Sequence, residues 1–178
     1  MATANDKLQD ESIAHAIWIA RYSTSVANRM IKILNDSDAE LTARLLVAMD
    51  SLDADSFTVS RLEALLSSVR ALNREAVQSM YAGLSDELQQ LAQHEAGFQL
   101  SLFQFAIPDD VLSLHPLVGI SPDAVYAAAM AQPFQGRLLS EWADNLEADR
   151  MARISNTVRQ GFLLGDTHEQ IAQGTRTR

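Results

Sequence analysis

Residues Ile13–Leu34 read IAHAIWIARYSTSVANRMIKIL, and a set of mostly apolar residues recurs in them at alternating intervals of four and three. This spacing lines them up along one side of an α-helix, where they can pack against neighbouring helices. We therefore predict a long helix over residues 7–34. Its apolar seam consists of Ile13, Ile17, Ala20, Thr24, Ala27, Ile31 and Leu34.

Polar residues predict a break after this first helix. Asn35–Ser37 are residue types that cap helices, and the apolar stripe resumes at Leu41. We therefore expect a second, shorter helix over residues 41–52. The acidic run Asp50–Asp55 then favours a loop.

Two more helices are predicted before the first proline. One begins at Ser56 or Thr58, either of which can cap it, and ends at Gly83. The next begins at Ser85, because the two acidic residues that follow suit the positive end of a helix dipole. The apolar residues of 98–107 also partly alternate as in a strand, but a helix is favoured because no partner strand is evident.

All four prolines lie between residues 108 and 133, which predicts an irregular middle. Pro108 and the two acidic residues after it are typical of a turn. His115–Gly119 is expected to be extended or looped, since the residue before a proline avoids the helical region. Ser121–Pro122 is typical of a helix start, with proline in the first helical position of a short helix that reaches Ala131.

A last long helix is predicted over residues 134–164, and Gly165 can end it in a left-handed conformation. Asp166 or Thr167 can cap a final short helix. Glu169 stands three residues after Asp166, as in a capping box.

Long helices joined by short loops predict an all-α fold, a bundle or an array of helical hairpins. We divide the chain into an N-terminal helical region (1–107), a proline-containing linker with a short helix (108–133) and a C-terminal segment (134–178). The last segment pairs a long helix with a short one, as a helix-turn-helix.

The composition excludes several kinds of chemistry. The 178 residues include no cysteine, which removes disulfides, thiolate ligands and thiol nucleophiles. His94-Glu95 and His168-Glu169 each lack the second histidine of a zinc-binding helix, and no histidine stands at a metal-ligand spacing along the chain. We therefore predict no metal, no cofactor and no enzymatic activity. A hydrolase that uses His94 and Glu95 is a remote alternative.

Charge and hydropathy limit the partners. The net charge of −9 divides into −11 over residues 1–150 and +2 over residues 151–178. DNA is thus excluded as a partner of the whole surface but remains possible at the basic C-terminal end. No run of 18 apolar residues exists and residues 1–10 lack the features of a signal peptide, so we expect a soluble protein with no membrane partner.

Short motifs near the C terminus follow one another in the order and spacing of a known family. They are PFQGRLLSEW (Pro133–Trp142), LEADRMARI (Leu146–Ile154), VRQGFLLG (Val158–Gly165), THEQI (Thr167–Ile171) and GTR (Gly174–Arg176). In these motifs the chain resembles the phage head morphogenesis family, the minor head proteins of tailed bacteriophages, which include the F-like proteins of Mu-type phages. The first 107 residues resemble the family only in their helical character.

The resemblance implies a structural role. Minor head proteins are present in few copies, associate with the portal and assist head assembly, DNA packaging or DNA delivery. Other head or capsid proteins are further partners that the resemblance implies. It further implies a place in the virion, in the head or portal region, and in the host cytoplasm during assembly. The alternative is a non-enzymatic helical module that binds another protein in the host cytoplasm.

Two departures from the family pattern concern the C-terminal end. Ala172-Gln173 stands where family members carry basic residues, and the family continues beyond the Gly-Thr-Arg turn. We therefore expect the chain to be the N-terminal part of a longer protein or a shortened relative.

If the chain binds a portal, we expect the contact on the Phe134–Trp142 segment or on the Arg150–Arg159 face, because tryptophan and arginine are favoured interface anchors. Trp142 is also a candidate for the core. The candidate interface residues are Phe134, Arg137, Trp142, Arg150, Arg153 and Arg159.

Overall fold

The computed structural model describes residues 4–50 and 59–176. Within these ranges the chain forms six α-helices and no strand longer than an isolated bridge, which confirms the all-α prediction. The helices are α1 (Ala4–Asp50), α2 (Val59–Ala106), α3 (Asp109–Leu114), α4 (Pro122–Ala131), α5 (Leu139–Leu164) and α6 (His168–Gly174).

Helix α1 is longer than predicted because it continues through Asn35–Ser37. The predicted break there, and the separate helix over residues 41–52, are wrong. Asn, Asp and Ser cost only up to about 0.7 kcal/mol each in a helix interior. Leu41 and Leu45, directly after them, are fully buried, and their packing outweighs that cost. Of the predicted loop at 50–55, Asp50 is helical and the rest lies outside the described residues.

The apolar seam predicted for the first helix is not its buried face. Ile13, Ile17 and Ile31 are 48–54% exposed. The less exposed face of this part of α1 has the same spacing but begins two residues later, with His15, Ile19, Tyr22 and Val26. The prediction of a helix is confirmed here, and the prediction of its packed face is wrong.

Helix α2 likewise continues through Gly83 and Ser85, so the predicted helix end and helix start there are wrong. A glycine in a helix interior costs about 1 kcal/mol relative to alanine, which the flanking turns can outweigh. Residues 98–106 are helical, as favoured above. The predicted caps Ser56 and Thr58 lie outside the described residues.

The proline-containing middle is partly helical. The turn predicted at Pro108 is instead the start of α3, with two aspartates in its first turn. His115–Ile120 has no regular structure, as predicted for most of this segment. Ser121 precedes α4 and Pro122 is its first residue, also as predicted, although the Ser121 side chain makes no capping hydrogen bond.

The predicted helix over residues 134–164 begins later, at Leu139. Phe134 and Arg137 close a tight turn in which the N–H of each donates to the carbonyl of the other, at 2.8 and 3.2 Å. Gln135 (φ 48°) and Gly136 (φ 79°) both have positive φ, as a type I′ turn requires. A turn of this kind excludes continuation of a helix through it.

Gly165 (φ 73°) follows the end of α5, as predicted. Thr167, not Asp166, caps α6. Its hydroxyl accepts from the N–H of Gln170 at 3.3 Å, and the Gln170 side chain accepts from the N–H of Thr167 at 2.8 Å. The capping box predicted between Asp166 and Glu169 is therefore wrong by one residue.

The chain divides into two compact units. Unit 1 comprises Met1–Arg29 and Gly83–Leu138, and unit 2 comprises Met30–Ala82 and Leu139–Arg178. Unit 2 contains a continuous apolar core drawn from α1, α2, α5 and α6. Among the helices described, none is long and apolar enough to cross a membrane. The core residues of unit 2 are Leu41, Leu45, Met49, Leu65, Leu66, Val69, Met151, Ile154, Val158, Ile171 and Ala172.

Candidate functional site

In unit 2, the C-terminal motifs supply the residues that pack α5 against α6. Val158 and Gly161 of α5 and Ile171 of α6 are all buried. A Cβ atom at Gly161 would overlap Cγ1 of Ile171 and lie 2.9 Å from its Cδ1. Only glycine at this position therefore allows the two helices their close approach.

The Gly-Thr pair of the last motif has a similar role. A Cβ atom at Gly174 would lie 2.9 Å from Cγ2 of Thr157 on α5. The buried Thr175 hydroxyl donates a hydrogen bond of 2.7 Å to the carbonyl of Ala172. The spacing of the motifs thus matches the geometry of one folded helix pair.

The six predicted interface residues fall in both units. Phe134 and Arg137 belong to unit 1, at the two ends of the tight turn, and Phe134 is 67% exposed. The other four lie on α5 in unit 2, where Trp142 is half-buried and Arg153 and Arg159 are exposed.

Arg150, the sixth candidate, is only 3% exposed. Its Nη2 atom donates to the carboxylate of Asp38 and, at 3.3 Å, to the hydroxyl of Ser37. Its Nη1 atom is buried and has no hydrogen-bond partner among the described residues. The guanidinium is therefore engaged inside unit 2, where it links α5 to α1, rather than displayed at the surface.

A polar pocket of about 270 Å³ lies beside this group in unit 2, and we call it the arginine pocket. It is lined by Arg150, Arg153, Thr157, Thr175 and Arg176, among others, and Arg153 and Arg176 are exposed. Guanidinium and hydroxyl donors in such an arrangement suit a carboxylate or a phosphate.

Unit 1 contains a different constellation, the histidine–aromatic cluster, formed by His15, Trp18, His94, Glu95 and Phe98. The ring of His15 stacks on Phe98 with centroids 3.8 Å apart, and the ring of His94 stacks on Trp18 at 3.9 Å. The two histidine rings are nearly parallel, with centroids 5.7 Å apart. Each imidazole thus has one face covered by an aromatic ring.

Glu95 connects these side chains. Its Oε1 atom lies 2.8 Å from Nε2 of His15. One ligand atom each of His15, His94 and Glu95 lies within 4.8 Å of the other two. The search for ligand spacings along the sequence missed this group because His15 belongs to α1 and the other two to α2.

A partly buried hydrogen-bond network follows on the same two helices of unit 1. The Tyr22 hydroxyl donates to Oε2 of Glu87 at 2.7 Å, and Arg29 lies 2.5 Å from the other carboxylate oxygen. Burial, together with the hydrogen bond to Glu87, raises the pKa of Tyr22 to about 12. The hydrogen bond from Tyr22, reinforced by Arg29, lowers the pKa of Glu87.

Unit 1 also contains an apolar pocket of about 430 Å³. Leu100 and Phe103 of α2 line one side, Val118 and Ile120 of the extended segment line another, and Glu95 contributes a carboxylate. Val118 is 91% exposed and Ile120 is 69% exposed, so the rim of this pocket presents aliphatic surface.

The chain matches no family model, no curated protein and no solved structure. Its function is therefore inferred from the chemistry of these sites and from the motifs of residues 133–176.

Proposed function

We propose that the chain is a bacteriophage assembly protein of the minor head type, which binds the portal and assists head assembly, DNA packaging or DNA delivery. It acts by docking rather than by catalysis, in the virion head or portal region and in the host cytoplasm during assembly. The observation that carries the proposal is the packing of α5 on α6. The motifs that resemble minor head proteins include Gly161 and Gly174. A side chain at either position would be too close to a residue of the facing helix, so the packing requires glycine there.

Exposed apolar residues of unit 1 support a docking role. Leu114, Val118 and Ile120 lie in or beside the extended segment and are at least 69% exposed, and Phe134 is 67% exposed. Apolar residues grouped in one exposed segment are a mark of a protein interaction site, whereas singly scattered ones are common on any surface. We assign the portal contact to these four residues, which we call the apolar rim.

The proposal includes a second, weaker contact. The arginine pocket of unit 2 lies in the part of the chain that carries net positive charge, and its exposed arginines can hold a DNA phosphate. DNA is thus a neighbour of the chain at this end, while the portal is its main partner.

Co-expression with the portal protein of the same phage tests the proposal. We expect the two to co-purify with a fixed stoichiometry and the chain to be present in procapsids. The double change Val118→Asp and Ile120→Asp should abolish co-purification, because it places two charges in a contact that has to be dehydrated.

The control is Leu163→Asp, which adds a charge at an 86% exposed leucine of unit 2. This variant should still co-purify with the portal. Absence of the chain from both virions and procapsids would contradict the proposal. A stable monomer with no affinity for the portal favours instead the alternative, a helical module that binds another cytoplasmic protein.

A further inference from the structure

We propose that His15, His94 and Glu95 bind one divalent transition-metal ion of the Zn²⁺ class and thereby link α1 to α2 within unit 1. Their ligand atoms already lie within 4.8 Å of one another. His15 stands on one helix, and His94 and Glu95 are consecutive on the other. An ion held by all three would therefore cross-link the two helices.

The donor set selects the class of ion. Two imidazole nitrogens with one carboxylate oxygen suit Zn²⁺ and its neighbours in the first transition row, whereas Ca²⁺ and Mg²⁺ prefer oxygen ligands throughout. Zn–N and Zn–O bonds of about 2.0–2.2 Å place the ligands of one tetrahedral ion about 3.3 Å apart. The separation between Nε2 of His15 and Oε1 of Glu95, 2.8 Å, is somewhat shorter than that value, and all three ligand atoms lie within 4.8 Å of one another.

Aromatic packing holds the two imidazoles in place. His15 lies against Phe98 and His94 lies against Trp18, with interplanar angles of 10° and 23°. Stacking covers ring faces and leaves the nitrogens at the ring edges available. Because both side chains are ordered before an ion arrives, little rotamer entropy remains to be lost on binding.

A second, independent observation is the state of the Glu95 carboxylate. Its Oε1 atom is buried and accepts no hydrogen bond from the described residues, and its contact with Nε2 of His15 at 2.8 Å is an ion pair only if that imidazole is protonated. A buried carboxylate oxygen that accepts no hydrogen bond is costly, and such groups in folded proteins generally have a donor or a cation beside them. A metal ion between Glu95 and the two histidines supplies that cation.

This site does not depend on the proposed function. Glu95 also lines the apolar pocket beside Val118 and Ile120, but no residue of the apolar rim or of the arginine pocket belongs to the cluster, and the motifs of residues 133–176 contribute nothing to it. A metal here stabilises unit 1 whatever partner the chain binds.

Titration calorimetry with Zn²⁺ on the full, chelator-treated chain tests the proposal. We expect one ion per chain. His94→Ala and Glu95→Gln should each weaken binding by at least about 100-fold, since the loss of a ligand exceeds the 10–100-fold effect of losing an outer partner. The controls are His115→Ala and His168→Ala, which remove the other two histidines of the chain and should leave the affinity unchanged.

His94 is the preferred ligand to replace because it is exposed, and circular dichroism verifies that each variant keeps its helical content. The d–d absorption of Co²⁺ provides a second readout, since its intensity is high for a four-coordinate protein-bound ion and low for the six-coordinate aquo ion, and it should fall to the aquo level in His94→Ala. No binding of either ion, or binding that His94→Ala leaves intact, overturns the proposal. Neither of these results changes what is expected for co-purification with the portal. The metal site can therefore be disproved without disproving the proposed portal binding, and the reverse also holds.

Discussion

At the scale of single residues, the contact between Arg150 and Asp38 defines how α5 joins unit 2. Both side chains are largely buried, at 4% and 14% exposure. Removal of one member of a buried ion pair leaves the other charge without compensation in a medium of low dielectric constant. Loss of either member of this pair is therefore expected to lower the free energy of unfolding more than loss of an exposed pair on α1 does.

Asp38→Ala is expected to lower the free energy of unfolding by about 3–5 kcal/mol, because it leaves the Arg150 guanidinium buried without its counter-ion. Glu40→Ala, which removes the partner of Arg44 in an exposed pair four residues apart, should change it by less than about 0.5 kcal/mol. Denaturant titration followed by circular dichroism measures both. Equal effects of the two changes would show that the Arg150 contact has no special weight.

The Tyr22–Glu87 hydrogen bond makes stability depend on pH in two windows. The pKa of Glu87 is lowered in the folded state, so its carboxylate contributes stability above its ordinary value of 4.5, which is lost as the pH falls through the folded value. The pKa of Tyr22 is raised, so its neutral hydroxyl contributes stability below 10.0, which is lost as the pH rises through about 12.

Tyr22→Phe should reduce the acid part of this dependence. Without the Tyr22 hydroxyl, the pKa of Glu87 moves back toward its ordinary value, so less stability is lost as the pH is lowered below 4.5. Unfolding free energies of the wild type and the variant at a series of pH values between about 3 and 7 measure the difference. Tyr126→Phe, a change on α4, is the control and should leave the profile unaltered. An unchanged acid profile in Tyr22→Phe would contradict the assignment.

Residue contacts divide into those that the sequence can predict and those that it cannot. Lys32–Asp36 and Arg44–Glu40 pair at a spacing of four, which any helical interpretation identifies. Arg150–Asp38 and His15–Glu95 join distant parts of the chain, and no local spacing encodes them. For this reason the sequence predicts an interface role for Arg150, which is buried, and contains no local signal for the histidine–aromatic cluster.

At the scale of helices, the periodic spacing of apolar residues predicts where the chain is helical better than the residue types that commonly start or end helices. The apolar spacing correctly predicted helix on both sides of Asn35–Ser37 and of Gly83. The predicted interruptions were wrong because cap-forming residues and a single glycine shift the helix equilibrium by only about 1 kcal/mol or less per residue. Gly165 did end a helix, in the left-handed conformation that glycine readily adopts.

Gly161 and Gly97 make a matched pair of interior helical glycines. Gly161→Ala should destabilise the chain by about 1–3 kcal/mol, because the added methyl group overlaps Ile171 and separates α5 from α6. Gly97→Ala adds the same group where nothing lies within 4 Å, and should stabilise by up to about 1 kcal/mol through helix propensity. Thermal unfolding of both variants measures the two effects. A Gly161→Ala variant as stable as Gly97→Ala would show that the α5–α6 contact is not close.

At the scale of the whole molecule, each compact unit is assembled from two separated stretches of the chain. The sequence can show that α1 and α2 are amphipathic, but which parts of them pack together depends on contacts between distant residues. Charge behaves differently, because it is a sum over the chain. The contrast between the acidic first 150 residues and the basic remainder follows from the sequence alone.

That contrast leads to a prediction for DNA. With a net charge of −9, the chain as a whole is expected to repel a duplex, and the proposal places the favourable contact with DNA at the arginine pocket. Two exposed arginines, Arg153 and Arg176, can each displace a counter-ion, so the logarithm of the binding constant should fall with the logarithm of salt concentration with a slope of about −2. The binding is thus expected to be detectable at low salt and to disappear as salt is added.

Fluorescence anisotropy with a labelled duplex measures this slope for the full chain. The double change Arg153→Glu and Arg176→Glu should abolish binding at low salt. The matched control Arg70→Glu with Arg159→Glu alters the net charge equally, on exposed residues of unit 2 outside the pocket, and should weaken binding only slightly. If both double variants lose affinity to the same degree, the effect belongs to net charge and the arginine pocket is not a phosphate site. If only the Arg153→Glu, Arg176→Glu variant loses affinity for the duplex, the arginine pocket is the phosphate-binding site of this otherwise acidic protein.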